Sequence, residues 1–151
     1  MYHAHNSDML AGALRDLVGL LNSPRQDDIL IREAGVAIDR ALFPLLVRIG
    51  SAGSLGVVEL AEQVGRDHST VSRQVAKLEE LGLVTRRQAR RDQRVREAVI
   101  TGEGKRAVKA ITLARRRLIG KLLADWTPED RQALARLNRR LADAMGQFRA
   151  S

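Results

Sequence analysis

The sequence contains no cysteine. That excludes a disulfide framework and any thiolate metal site, and it suits a reducing compartment. No stretch approaches the roughly eighteen consecutive apolar residues of a membrane-spanning helix. Residues Met1 to Asn6 lack the basic start and apolar run of a signal peptide, so a cytoplasmic protein is expected. Histidine is scarce: His3, His5 and His68 are all there is. His3 and His5 have no accompanying carboxylate cluster, so no metal site is expected. Ser69 and Ser72 have no base paired with them in sequence, as a nucleophilic serine requires. There is no glycine-rich phosphate loop, no internal repeat and no low-complexity segment. Neither an enzyme nor a cofactor is expected.

What is present is a chain of 151 residues, the length of one domain, 1–151. A chain of that length buries about 70% of the surface it exposes when unfolded. Lys and Arg number 26 against 18 Asp and Glu, a formal charge of +8. Such a balance favours a polyanionic partner, either nucleic acid or an anionic membrane surface. An arginine-rich composition with no such partner is the plainer alternative.

Apolar periodicity organises the chain. Leu10, Leu14, Leu17, Val18 and Leu21 recur at helical spacing, with Asn6 or Ser7 as candidate cap and Asn22-Ser23-Pro24 as stop. A polar connection is expected through Asp27 and Asp28. A second helix is expected from about Asp39 to Ile49, where Pro44 allows two readings. Either Asp39 caps and Pro44 kinks the helix, or the helix starts near Phe43 and Pro44 sits in its first turn. Gly50 to Gly53 reads as a loop. A short helix is expected over Val57–Val64 and a longer one from Asp67 or His68 to Leu81, with Gly65 between them and Gly82 after them. The period then falls to two on either side of a basic tip at Ala89 to Gln93, which predicts a hairpin. Thr101 starts a long helix to about Asp125. Thr127-Pro128-Glu129 starts the last one, with Leu134, Leu137, Leu141, Met145 and Phe148 down one face.

The central segment carries the chemistry. Ala61 is small where two steeply crossing helices approach, Gly65 tolerates the positive φ of a short turn, and Val71 packs the second helix on the first. At about 100° per residue, Val71, Val75, Leu78 and Leu81 share the inner side of that second helix. Ser69, Ser72, Arg73, Ala76 and Lys77 share the outer side. Small, hydrogen-bonding side chains with two cations suit close approach to a major groove. An ordinary solvated helix face would look the same in isolation. The hairpin shifts the balance. Arginines 86, 87, 90, 91, 94 and 96 crowd into it with only Asp92 inside the run to oppose them. Like charges so close repel, and a phosphate backbone reverses that cost. An arginine at the tip can enter a narrow minor groove. Asp92 can brace Arg90, Arg91 or Arg94.

The run Val58-Glu59-Leu60-Ala61-Glu62, then Asp67 to Arg73, then Leu78 to Val84, resembles the winged helix-turn-helix of the MarR family of transcription regulators. Asp92-Gln93-Arg94 followed by Ile100-Thr101-Gly102-Glu103-Gly104 resembles that family's wing and the helix after it. The resemblance implies a mainly α fold with a small β-hairpin wing. It implies a DNA-binding region over residues 55–101 and dimerisation helices over 7–21 and 102–148. Ser69, Thr70, Ser72, Arg73, Gln74 and Lys77 of the recognition helix would contact double-stranded DNA, with Arg90, Arg91 and Arg94 of the wing and Asp92 holding Arg94. It further implies a homodimer, repression of transcription, and release by a small aromatic or phenolic effector. The absence of cysteine rules out the branch of the family that senses oxidants through thiols.

Two other readings compete. Arg131, Arg136, Arg139, Arg140 and Arg149 on the last helix could suit an anionic membrane surface or a scaffold, although Asp143 interrupts its leucine stripe, which fits a dimer seam better. A winged-helix regulator of another family, such as a metal sensor, would need ligands this chain lacks.

Overall fold

The computed structural model describes residues 2–150, and side chains over residues 3–148, so the side chain of Arg149 lies outside the described residues. The chain divides into two compact units, Met1–Arg115 and Arg116–Ser151. In chain order the elements are α1 (Tyr2–Leu21), α2 (Pro24–Ala34), α3 (Phe43–Ala52), β1 (Ser54–Gly56), α4 (Val57–Val64), α5 (His68–Glu80), β2 (Val84–Gln88), β3 (Arg96–Ile100), α6 (Gly102–Leu122) and α7 (Pro128–Ala150). The strands form one antiparallel sheet in the order β1-β3-β2.

The core of the first unit lies between α3, α4, α5 and the sheet. Leu45, Leu46 and Ile49 of α3 meet Leu60 and Ala61 of α4, then Val71, Val75 and Leu78 of α5. Val84, Ala98 and Ile100 close it from the sheet, and Ile111 from α6. Each fully buried Leu, Ile or Val stabilises the fold by about 1.5–3 kcal/mol relative to exposure. No described polar or charged residue is buried, so the core is held by packing alone.

Local chemistry accounts for several of the helix ends. Asp67 caps α5 by accepting from the Thr70 N–H at 2.9 Å. Gly65 ends α4 at φ +67°, a left-handed conformation that costs a residue with a Cβ roughly 1–2 kcal/mol. Thr101 joins the hairpin to α6: its hydroxyl donates to the Gly82 carbonyl and accepts from the Gly104 N–H. Gly104 is buried where α6 meets the chain entering β2. A Cβ there would lie 2.1 Å from the Leu83 carbonyl oxygen and 2.5 Å from Ile100 Cδ1.

Several expectations need correction. The segment through Asp27 and Asp28 is a helix, α2. Ser23 accepts from the Arg25 N–H and Pro24 occupies the first turn, so the same residues that stop α1 start α2. Helix α1 begins at Tyr2, and the Ser7 hydroxyl bonds back to the His3 carbonyl inside it rather than capping it. Of the two readings of Pro44, the later start holds: α3 begins at Phe43 with Pro44 in its first turn. Asp39 caps the preceding turn instead, through the Ala41 N–H at 2.7 Å. Residues Gly50 to Ala52 continue α3. Gly50 packs so close to Val108 of α6 that a Cβ would stand 2.7 Å from Val108 Cγ2. Strand β1 lies between the expected loop and the expected helix, at residues that periodicity left unassigned, and α6 stops at Leu122 rather than near Asp125. Leu81 was placed on the inner side of α5 but is 47% exposed, because the helix has ended by Glu80.

The second unit is a helical hairpin. The end of α6 turns through Trp126, Thr127 accepts from the Asp130 N–H at 3.1 Å, and α7 follows. The Arg131 guanidinium returns to the Leu123 carbonyl across the turn. No described residue of α7 is buried. No helix among the described residues is long and apolar enough to cross a membrane.

Candidate nucleic-acid interface

Helix α5 turns Val71, Val75 and Leu78 inward, which leaves its opposite side to solvent. Ser69, Arg73 and Lys77 are exposed there, and Thr70, Ser72 and Gln74 are half-buried. The Arg73 guanidinium donates to the Thr70 hydroxyl at 3.4 Å, which holds the cation along the helix. Gln74 is differently occupied. Its side-chain oxygen accepts from Arg66 at 2.9 Å, and the same Arg66 nitrogen donates to the Ala41 carbonyl at 2.7 Å. Gln74 therefore anchors α5 to the turn before α3, while Ser69, Arg73 and Lys77 keep the open side.

The capping carboxylate of Asp67 sits below the usual range, held there by hydrogen bonds from the Thr70 side chain and its backbone N–H. It stays charged across the physiological range. The positive end of α5 is thus already partly neutralised by its own cap.

Strands β2 and β3 pair from Val84↔Ile100 to Gln88↔Arg96 and project a loop of residues 89–95. At its tip Asp92 grips Arg94 with both carboxylate oxygens, at 3.2 and 3.4 Å, and takes the Arg94 backbone N–H at 3.0 Å. Those bonds from Arg94, side chain first, hold the Asp92 carboxyl below its ordinary value. The Arg94 side chain is nevertheless 92% exposed. A bidentate pair thus fixes the arginine's direction without covering its outer edge. Of the three partners open to Asp92, Arg94 is the one it holds.

Two other arginines of the run are also tied, by acids from outside it. Arg87 pairs across the hairpin with Glu97 at 2.7 Å, and Arg86 pairs with Glu79 of α5 at 3.3 Å. Arg90, Arg91 and Arg96 make no ion pair among the described residues, and all three are exposed. The hairpin therefore holds Arg86, Arg87 and Arg94 by carboxylates and leaves Arg90, Arg91 and Arg96 without one among the described residues. The sequence did not reveal Glu79, Glu97, Arg66 or the double role of Thr101. Each acts across a turn or a strand pair, where periodicity along the chain carries no signal.

The sequence model of the MarR family matches residues 38–95, from the turn before α3 to the hairpin tip. An HTH-type transcriptional regulator of Bacillus subtilis, YxaD, is 33% identical over 107 residues, which cover 71% of this chain and 75% of that protein. The chain belongs to the MarR family. Solved structures agree. A MarR family protein from Bacillus stearothermophilus superposes with a TM-score of 0.79 at 23% identity, covering 95% of this chain and 97% of the other. The crystal structure of MarR gives 0.72 at 28% identity, covering 89% of this chain and 93% of the other. In this MarR-family chain the mainly α architecture with its small sheet agrees with the fold expected from sequence. Helices α4 and α5 form the helix-turn-helix, and β2 and β3 form the wing.

Proposed function

We propose that this MarR-family transcription regulator binds double-stranded DNA as a homodimer, with α5 in the major groove and the wing tip in the neighbouring minor groove. The observation that carries the reading is Arg94, aimed outward by Asp92 at the end of a braced hairpin. Ser69, Thr70, Ser72, Arg73 and Lys77 would meet base edges and phosphates, and Arg90 and Arg91 would meet phosphates beside the tip. Gln74 contributes through the position of α5, since its oxygen is already engaged by Arg66.

Apolar surface supports the homodimer. Met9, Leu10, Leu17, Val18, Leu20 and Leu21 of α1 are all exposed. In the second unit Leu122, Leu137, Met145 and Phe148 are exposed too. Exposed apolar area on this scale marks an interaction surface. Residues 7–21 and 102–148 serve as the dimerisation helices and residues 55–101 as the DNA-binding region. Repression in the cytoplasm, relieved by a small aromatic or phenolic effector, completes the reading and rests on family membership. The reading assigns the chain no catalysis.

Selection of bound sequences from random duplex DNA tests the proposal. The expected result is a pseudo-palindrome whose half-sites lie about one helical turn, roughly 34–36 Å, apart. Recovery of no enriched sequence would overturn it.

A further inference from the structure

The wing and the recognition helix can read one site only if their separation matches two neighbouring grooves. We propose that Glu79 sets that separation: it is a positioning residue that locks the wing to α5 and so determines how well the wing reads its flank. The inference rests on the DNA-binding reading above.

The geometry is specific. One carboxylate oxygen of Glu79 accepts the backbone N–H of Arg86 at 3.0 Å. The other accepts the Arg86 guanidinium, at 3.4 Å from Nε and 3.3 Å from Nη2. Strand β2 is an edge strand, paired with β3 on one side only. The Arg86 N–H points away from β3, and an edge N–H of this kind normally goes to water. Here it goes to the last full turn of α5. Glu79 thus binds both the main chain and the side chain of a single wing residue.

The link has no substitute. Among the described residues, these are the only side-chain hydrogen bonds running directly from α5 to the hairpin. Both partners are partly shielded, with side-chain exposures of 28% for Arg86 and 39% for Glu79. The connection between the two elements is otherwise the short turn through Gly82 and the apolar contacts of Leu78, Leu83 and Val84. Apolar contacts resist separation but are tolerant of rotation, whereas hydrogen bonds to a backbone and a guanidinium fix direction. The pair also removes Arg86 from the set of free cations. Its charge goes to alignment, and Arg90, Arg91 and Arg94 are left for the nucleic acid.

The test compares the wild-type chain with Glu79→Ala, Glu79→Gln and Arg86→Ala by sequence selection and by affinity for one selected duplex. With Glu79→Ala, enrichment at the flanking positions, those lost in Arg94→Ala, should fall at least fivefold. Enrichment at the positions read by α5 should stay within twofold. Arg86→Ala, which loses the guanidinium but keeps the backbone N–H, should give a smaller loss at the same positions, and adding it to Glu79→Ala should deepen that loss no further, as expected of one coupled pair. Glu79→Gln, which can still accept the backbone N–H, should restore part of the flank preference. Amide exchange supplies a readout without DNA. The Arg86 amide should lose protection in Glu79→Ala while Arg87, within the β2–β3 ladder, keeps it. A variant that is merely less stable would weaken all sequences alike, and that uniform loss overturns the proposal, as does an unchanged flank. A wild-type chain that binds no duplex would instead sink the functional reading itself.

Discussion

At the scale of single residues, the wing tip separates charge from exposure. Arg94 is both paired and open, because Asp92 grips it bidentately yet leaves most of its side chain in solvent. Arg94→Ala is expected to weaken DNA binding at least several-fold with no change in melting temperature, measurable by titration and calorimetry. Binding at wild-type strength would remove Arg94 from the site. Asp67 gives a prediction of a different kind. Its carboxyl is lowered in the folded chain relative to its ordinary value of 3.8. Its contribution to stability is therefore fully present above that ordinary value and disappears as pH falls through the lowered one. Asp67→Ala should melt a few degrees below wild type at neutral pH. The gap should be constant down to about pH 5 and narrow in stronger acid, as thermal melts across that range would show. The Asp92 brace was legible in the sequence, because it joins residues two positions apart, whereas the start of α5 was legible only to within Asp67 or His68 and its cap was not assigned. The Glu79–Arg86 and Arg66–Gln74 links were not legible, because a turn lies between the partners and the sequence does not state how it folds.

At the scale of elements, the helix-turn-helix was legible because its punctuation is chemical. Gly65 and Asp67 mark the turn and the new helix, and α4 occupies the residues that periodicity assigned to it. Elements without such punctuation went unread. Strand β1 is three residues long, too short for alternation to register, and it is specified by pairing with β3. Helix α2 was hidden because polar residues dominate it and its start coincides with the stop of α1. The join between the wing and α6 is the least forgiving place among these elements. Gly104→Ala would force a methyl group against the Leu83 backbone and Ile100, and backbone cannot move aside as a side chain tip can. The expected cost is about 3 kcal/mol, at the upper end for overpacking. Denaturant unfolding would measure it, and a loss under about 1 kcal/mol would show that α6 can shift freely.

At the scale of the whole molecule, charge and apolar surface are put to separate uses. The cations proposed to meet DNA lie on α5 and the wing tip, while α1 and the second unit expose hydrocarbon as well as charge. Two protomers would offer two copies each of Arg73, Lys77, Arg90 and Arg91 to phosphates. Affinity should therefore fall about 10³-fold or more between roughly 50 and 200 mM salt, through release of counterions. A flat response would contradict phosphate contact. Leu137→Asp or Leu141→Asp should dissociate or unfold the dimer, and light scattering that still reports a dimer would count against α7 as a seam.

Helix α1 has a consequence for the life of the protein. No described side chain of this helix is buried, so it gains little from its own chain, and most helical stability in proteins comes from packing of an apolar face. Under the proposed dimerisation through α1, that packing comes from another copy. At high dilution, protease should trim the first residues long before it reaches the winged core, and crowding the solution with more of the same protein should protect them. The amount of regulator present would then govern how long each molecule survives as well as how many sites are filled.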